Sequence, residues 1–452
     1  MNLISRYLTE SIRADALALG KMAFLSGPRQ TGKTTIGRLL LAHPENEFTW
    51  DDEDFRKTWI RSPAQAIAAR ETGPILLDEI HKDPRWKQKL KGLYDTSRQA
   101  YPIVVTGSAF GVCGETNCCI QAPLHPCPQR CGAPVSLDVP PGTPSVAVHP
   151  HALRPGRIDA LVATQLDSPQ TLDVFRKGGD SLLGRFLPYH VHPFTVGETA
   201  GPPSPDEIFS RTAPTFPLAD VLRLGGFPEP LLGGSEALAR RWSRLRRERL
   251  IAQDVRDLRN IQNLRALDLL VDLLPSRVGS LLSVNSLRQD LGVAHDTIAA
   301  WLDTLAAVYL CFRIKPWSKK VSRAVRAEPK LYLFDLTQVP EGGPRLENLV
   351  ALHLLKACDF WTDTAQGEFA LHFLRTRDGQ EIDFLVARDG APWMLVEVKS
   401  NDARPAQPLA RWAAELGTPL NYQLVTRPGF RKNYPDAGVT VLSTETFLAG
   451  LV

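Results

Sequence analysis

Apolar and polar positions follow two periods along the chain. MAFLS (22–26), PILLD (74–78) and PIVVT (102–106) are short apolar runs bounded by glycine or polar residues, which predicts buried strands. TIGRLLLA (35–42) has helical spacing. Strands alternating with helices predict a doubly wound parallel sheet, with its ligand at the carboxyl ends of the strands. Further on, LLSVNSLRQDLGVAHDTIAAWLDTLAAVYL (281–310) predicts a helix, a turn at Gly292 and a second helix, the spacing of a helix-turn-helix. Alternation resumes in CFRIKPW (311–317). Near the C-terminus, EIDFLVA and PWMLVEVKS predict two strands joined by ARDGAP, where Asp389-Gly390 favours a hairpin. Residues two apart in a strand share a face, so Glu397 and Lys399 point one way while Val396 and Val398 face the core.

A chain of 452 residues exceeds one ordinary core and predicts two to four domains. With 43% hydrophobic and 23% charged residues it reads as globular, and a net charge of +4 is too small at this length to name a partner. No apolar run reaches the ~18 residues of a membrane span, and MNLISRYLTESIRADALALGK carries acids without a signal-peptide apolar region. The expectation is a cytoplasmic protein with no membrane partner. Seven cysteines, five of them within 113–131, do not form a disulfide framework.

GPRQTGKT (27–34) fits G-x-x-x-x-G-K-[ST] between a strand and a helix. Gly27 and Gly32 let the backbone curl around phosphate oxygens, with Pro28, Arg29, Gln30 and Thr31 between them and Thr35 beyond, and the following helix start adds positive potential. Lys33 would reach the β and γ phosphates of ATP, and Thr34 would hold Mg²⁺. PILLDEIH ends in two acids: Asp78 for the Mg²⁺ shell and Glu79 to orient and deprotonate the attacking water. Ser108, after the third strand, is placed to sense the γ-phosphate.

The sequence resembles the bacterial and archaeal AAA-type ATPases that carry a C-terminal domain with a restriction-endonuclease-like core. The resemblance rests on GPRQTGKTT, FTWDDEDFR, ILLDEI, VVTGSA, LDVFRKGGDSLLGR, HPF, GGFPEP, DVRDL, KLYLFD, LENLV, EIDFLV and VEVKS, and it covers nearly the whole chain apart from one insertion. It implies an α/β protein in three parts: an AAA-type ATP-binding domain at 1–220, a helical, winged-helix connector at 221–330 and a restriction-endonuclease-like domain at 331–452. In such a nuclease fold Asp383 and Glu397 hold Mg²⁺ at a scissile phosphate and Lys399 stabilises the developing anion, while Glu347 matches the position of a further acid. DNA is the implied partner; a fold of this kind either cuts or only binds. The resemblance also places Arg185 as a candidate nucleotide-responsive arginine and is compatible with a homo-oligomer.

Two regions complicate this picture. Residues 110–171 hold ten prolines and five cysteines with almost no periodicity, so a loop is expected. The spacings of Cys113, Cys118, Cys119, Cys127 and Cys131, with His125 nearby, do not reproduce paired C-x2-C knuckles, and Zn²⁺ is not expected there. The insertion has two readings, a passive loop or an element that disturbs the ATPase. The connector is basic: RRWSRLRRERLIAQDVRDLR (240–259) carries eight arginines against three acids, and Lys315, Lys319, Lys320, Arg323, Arg326 and Lys330 follow the second helix. A basic wing binds phosphates without sequence choice; a lid packed on the ATPase core is the equal alternative.

Overall fold

The computed structural model describes residues 6–68, 71–97, 102–107, 182, 184–198, 201–211, 213–255, 263–318, 327–376 and 378–452. Ser108, the 110–171 insertion with its cysteines, and Lys319, Lys320, Arg323 and Arg326 lie outside them.

The apolar runs become the strands their burial demands. β1 (Met22–Ser26), β2 (Glu47–Thr49), β3 (Ile75–Asp78), β4 (Ile103–Thr106) and β5 (Phe186–His190) form a sheet ordered β2-β3-β4-β1-β5, with every neighbouring pair parallel. β4 lies between β1 and β3, and Thr106 is in register with Leu25 on one side and Asp78 on the other. The glycine loop after Ser26 and the acids after Leu77 therefore emerge at the same edge, where ligands gather in parallel α/β sheets. The helix Lys33–Leu40 starts directly from the loop, with Gly32 as its left-handed cap.

The connector contains Glu236–Arg249, Leu264–Leu273, Val284–Leu291 and His295–Ala307; Gly292 (φ 64°) turns the chain between the last two. β6 (Cys311–Pro316) and β7 (Lys330–Leu333) pair antiparallel, as wing strands do, but β6 also pairs parallel with β8 (Phe369–Arg375). Both strands thereby join an eight-stranded sheet ordered β12-β13-β11-β10-β9-β8-β6-β7, whose other members are β9 (Glu381–Arg388), β10 (Ala391–Val398), β11 (Leu420–Val425), β12 (Arg431–Tyr434) and β13 (Val439–Ser443). The β9–β10 turn has Asp389 and Gly390 both at positive φ (53° and 77°), the conformation of a two-residue hairpin loop.

One apolar core runs through all of this. Tyr7, Leu25 and Tyr189 at the first sheet, Leu302 in the connector and Leu349 and Trp361 on the long helix Gly343–Asp363 belong to a single buried cluster. Separate clusters fill the outer face of the first sheet, around Trp59 and Leu90, and the space beneath the helix Gln407–Leu416. The long helix lies between the two sheets and touches both.

Candidate functional site

The glycine loop is tight. A Cβ on Gly27 (φ 148°) would lie 2.2 Å from the Val191 carbonyl oxygen, so no other residue fits there. Gln30 adopts φ 64° and Gly32 φ 89°, curling the backbone as a phosphate cradle requires. The Thr31 hydroxyl donates to the Pro28 carbonyl (2.8 Å), bracing the curve. Pro28 is buried, Arg29 and Thr35 are half-buried, and the Gln30 side chain is exposed.

Lys33 is buried and folds back on the loop, donating to the carbonyls of Gly27 (2.9 Å) and Pro28 (2.7 Å). Burial lowers its pKa to about 8, against the opposing pull of Glu79 and then Asp78. Thr34 and Asp78 are 44 positions apart in sequence, yet the Thr34 hydroxyl donates to Asp78 Oδ1 at 3.2 Å; the Thr106 hydroxyl donates to the same oxygen. Burial pushes the Asp78 carboxyl up. Glu79 is left-handed (φ 56°), a conformation that costs a non-glycine residue about 1–2 kcal/mol, and its N–H donates to the Thr106 carbonyl (2.9 Å). Such strain is typical of functional turns. The hydroxyl of Thr34 and the carboxylate of Asp78 are hard oxygen donors side by side, a set that suits Mg²⁺ held jointly by protein and nucleotide phosphates.

Arg185 does not join this edge. It precedes β5, its carbonyl accepting from the Met22 N–H at the start of β1, while the loop leaves the other end of that strand; its guanidinium makes two bonds to Asp95 (2.8 and 3.1 Å). A role for Arg185 at this chain's own nucleotide is corrected by this placement, because a sheet's length separates it from the loop.

Near the C-terminus, the hairpin brings Asp383, Glu397 and Lys399 together. Asp383 N–H donates to Glu397 Oε2 (3.3 Å), Val398 N–H donates to Asp383 Oδ2 (2.9 Å), and Lys399 Nζ lies 2.6 Å from Glu397 Oε1. The surprise is Lys330. Expected on an exposed wing, it is 2% exposed, with its ammonium 3.1 Å from Glu347, 3.7 Å from Asp383 and in contact with Glu381. Its strand belongs to the large sheet, which turns the side chain inward; the basic-wing role is corrected for this residue. Tyr332 donates to Glu347 Oε1 (2.8 Å). The connector also closes on the cluster: a Cβ at Gly279 (φ 74°) would lie 3.0 Å from the Glu347 carboxylate.

Crowded carboxylates out of water resist ionisation. Burial, then Asp383, raises Glu397 to about 7; burial, then Asp383, also raises Glu347, and burial raises Asp383 itself. The opposite holds for Lys330: burial alone would lower it, but Glu347, Asp383 and Glu381 carry it above the usual lysine range. Among the described residues, no group of three or more His, Cys, Asp or Glu side chains is arranged to share a metal ion. At this cluster the acids face lysines, so as arranged they do not fit a divalent cation. Lys330, Tyr332 and Glu381 had only faint sequence signals, as members of KLYLFD and EIDFLV.

Comparison with known families finds three segments. Residues 20–115 match a model described as an AAA domain, 216–337 a domain of unknown function (DUF8612) and 342–447 a second domain of unknown function (DUF4143). No curated protein and no solved structure matches the chain. The AAA match points to an ATPase, in keeping with the parallel sheet and its loop. Among the described residues no helix is long and apolar enough to cross a membrane.

Proposed function

We propose that the chain binds and hydrolyses ATP at the 27–35 loop and uses a nuclease-like C-terminal domain to engage DNA. The observation that carries the first half is the Thr34–Asp78 contact at 3.2 Å beside Lys33. Lys33 swings from its carbonyls to the β and γ phosphates, Gly27–Gly32 N–H groups cradle them, and Glu79 orients the attacking water. Bound Mg²⁺ would supply charge neutralisation between Thr34, Asp78 and the phosphates. The parts divide at 1–220, 221–330 and 331–452 in this reading, with the 221–330 part a winged-helix connector.

The second half is supported by the gathering of Asp383, Glu397 and Lys399 on adjacent strands of the large sheet, the arrangement the resemblance implies for a nuclease-like fold. Cleavage requires Glu347, Asp383 and Glu397 to exchange lysine partners for a cation. A second reading, a nucleotide-controlled binding module that cuts nothing, is favoured by the seat of Lys330 among Glu347, Glu381 and Asp383.

ATP turnover and cleavage of labelled DNA measured in one tube, with Mg²⁺ or Mn²⁺, separate the readings. Glu79→Gln is expected to abolish turnover and retain nucleotide binding. DNA cutting lost in Asp383→Asn with turnover intact supports the nuclease; DNA binding without cutting in the parent supports the module. A parent with neither nucleotide turnover nor DNA binding overturns the proposal.

A further inference from the structure

A buried polar ladder joins the nucleotide edge of the first sheet to the long helix Gly343–Asp363. His190 meets Asp363 (3.1 Å), His192 meets Asp359 (2.7 Å), Glu198 meets Lys356 (2.5 Å) and the Val196 N–H donates to His353 Nε2 (2.9 Å). Residues 353, 356, 359 and 363 recur at three- and four-residue spacing along one helix face; the segment from 190 to 196 runs antiparallel to it, and Glu198 turns back to Lys356.

One rung reaches the phosphate loop. Arg6 donates through Nε to Glu198 (2.6 Å), through Nη2 to the His192 carbonyl (2.7 Å) and through Nη1 to the Thr31 carbonyl (2.6 Å). In a planar trans peptide the C=O and the following N–H point in opposite directions. Holding the Thr31 oxygen against Arg6 therefore aims the Gly32 N–H the other way. Glu198 is fully buried in its side chain and is held from its second oxygen by Lys356, itself fully buried, 2.8 Å from the Thr195 hydroxyl and 4.0 Å from the Tyr7 ring centre. The carboxylate is fixed between two cations, and losing it would leave Arg6 and Lys356 facing each other with no anion between them.

We infer that Arg6, Glu198 and Lys356 are positioning residues of the nucleotide site, so that the phosphate loop is complete only while the long helix of the C-terminal region is docked. This rests on the nucleotide reading above. By linkage, a nucleotide that favours the ordered loop also tightens the helix against the first sheet. The other end of that helix carries Glu347, so loop occupancy and the geometry of the acid cluster are joined through one rigid element.

The test uses the full chain and a fluorescent ADP analogue. Lys356→Met, which removes no atom near the nucleotide, is expected to weaken binding about tenfold, with partial recovery in Lys356→Arg and faster amide exchange at residues 31–32. The analogue is expected to slow exchange in 353–363 in the parent. Lys356→Met leaves the buried Arg6–Glu198 pair balanced, and Lys356→Gln, which can still hydrogen-bond Glu198, is compared with it at matched helicity. Parental affinity and loop exchange in whichever of these two Lys356 variants is folded overturn the inference. A parent that binds the analogue no better than Lys33→Ala overturns the nucleotide reading instead, and this inference with it.

Discussion

Lys33 and Lys330 are the same residue type at nearly the same burial, 7% and 2% exposed, and their environments push them in opposite directions. Lys33 rests on neutral backbone carbonyls, and burial brings it to about 8; Lys330 is surrounded by three carboxylates, which hold it firmly charged. The first is a cation short of anions, ready for phosphate. The second has its anions already, as part of a closed network. Burial by itself tells nothing about a lysine's task; the charge on its partners does.

The contrast can be broken most forcefully at Lys330. Lys330→Met leaves Glu347, Glu381 and Asp383 without their shared cation and is expected to destabilise the fold by about 3–5 kcal/mol in denaturant unfolding. Added Mn²⁺ recovers part of that loss if the freed acids capture it. At the other lysine, Lys33→Ala is expected to lower ATP turnover by at least about a hundredfold, the scale of losing one preorganised charge-stabilising donor, with little change in unfolding midpoint. Two loop hydrogen bonds go with it, but so does a buried charge that opposes folding.

A pH titration of nucleotide affinity sharpens the same comparison with a smaller effect. Above about pH 8 the empty-loop Lys33 is neutral, so binding a polyphosphate takes up a proton, and affinity should fall by up to about tenfold per pH unit between 8 and 10. Lys33 in the unfolded chain keeps its proton to the ordinary lysine range. Its buried charge therefore opposes folding below pH 8, and that penalty fades as pH rises through 8. Lys330 stays charged across this window and should contribute no slope. Flat affinity from pH 7 to 10 counts against phosphate contact by Lys33.

Much of the first sheet could be read directly. MAFLS, PILLD and PIVVT are apolar throughout because both faces of a parallel strand are covered, and glycines stand where the loop takes positive φ. The Asp389-Gly390 hairpin was equally open to reading, since its turn chemistry is local. Arg185 misled as a partner of its own chain's loop, because a glycine-arginine pair carries no information about which end of a sheet it occupies. Lys330 misled for a related reason: in a run of basic residues nothing local distinguishes the one whose strand enters a sheet beside Glu347 and Glu381. Arg6 gave no signal at all, as its partners Thr31, His192 and Glu198 lie 25 to 192 positions away.

Local order along the chain was thus enough for the strands, the phosphate loop, the glycine turn between helices and the C-terminal hairpin. Each depends on steric limits and side-chain periods that act over a few residues. Folding in three dimensions alone decided that β6 and β7 extend the second sheet, that Lys330 neutralises the acids, and that a helix from the C-terminal region braces the phosphate loop through Lys356, Glu198 and Arg6. Those outcomes depend on which charges share a low-dielectric space, and Coulomb interactions there follow distance in space rather than separation in sequence.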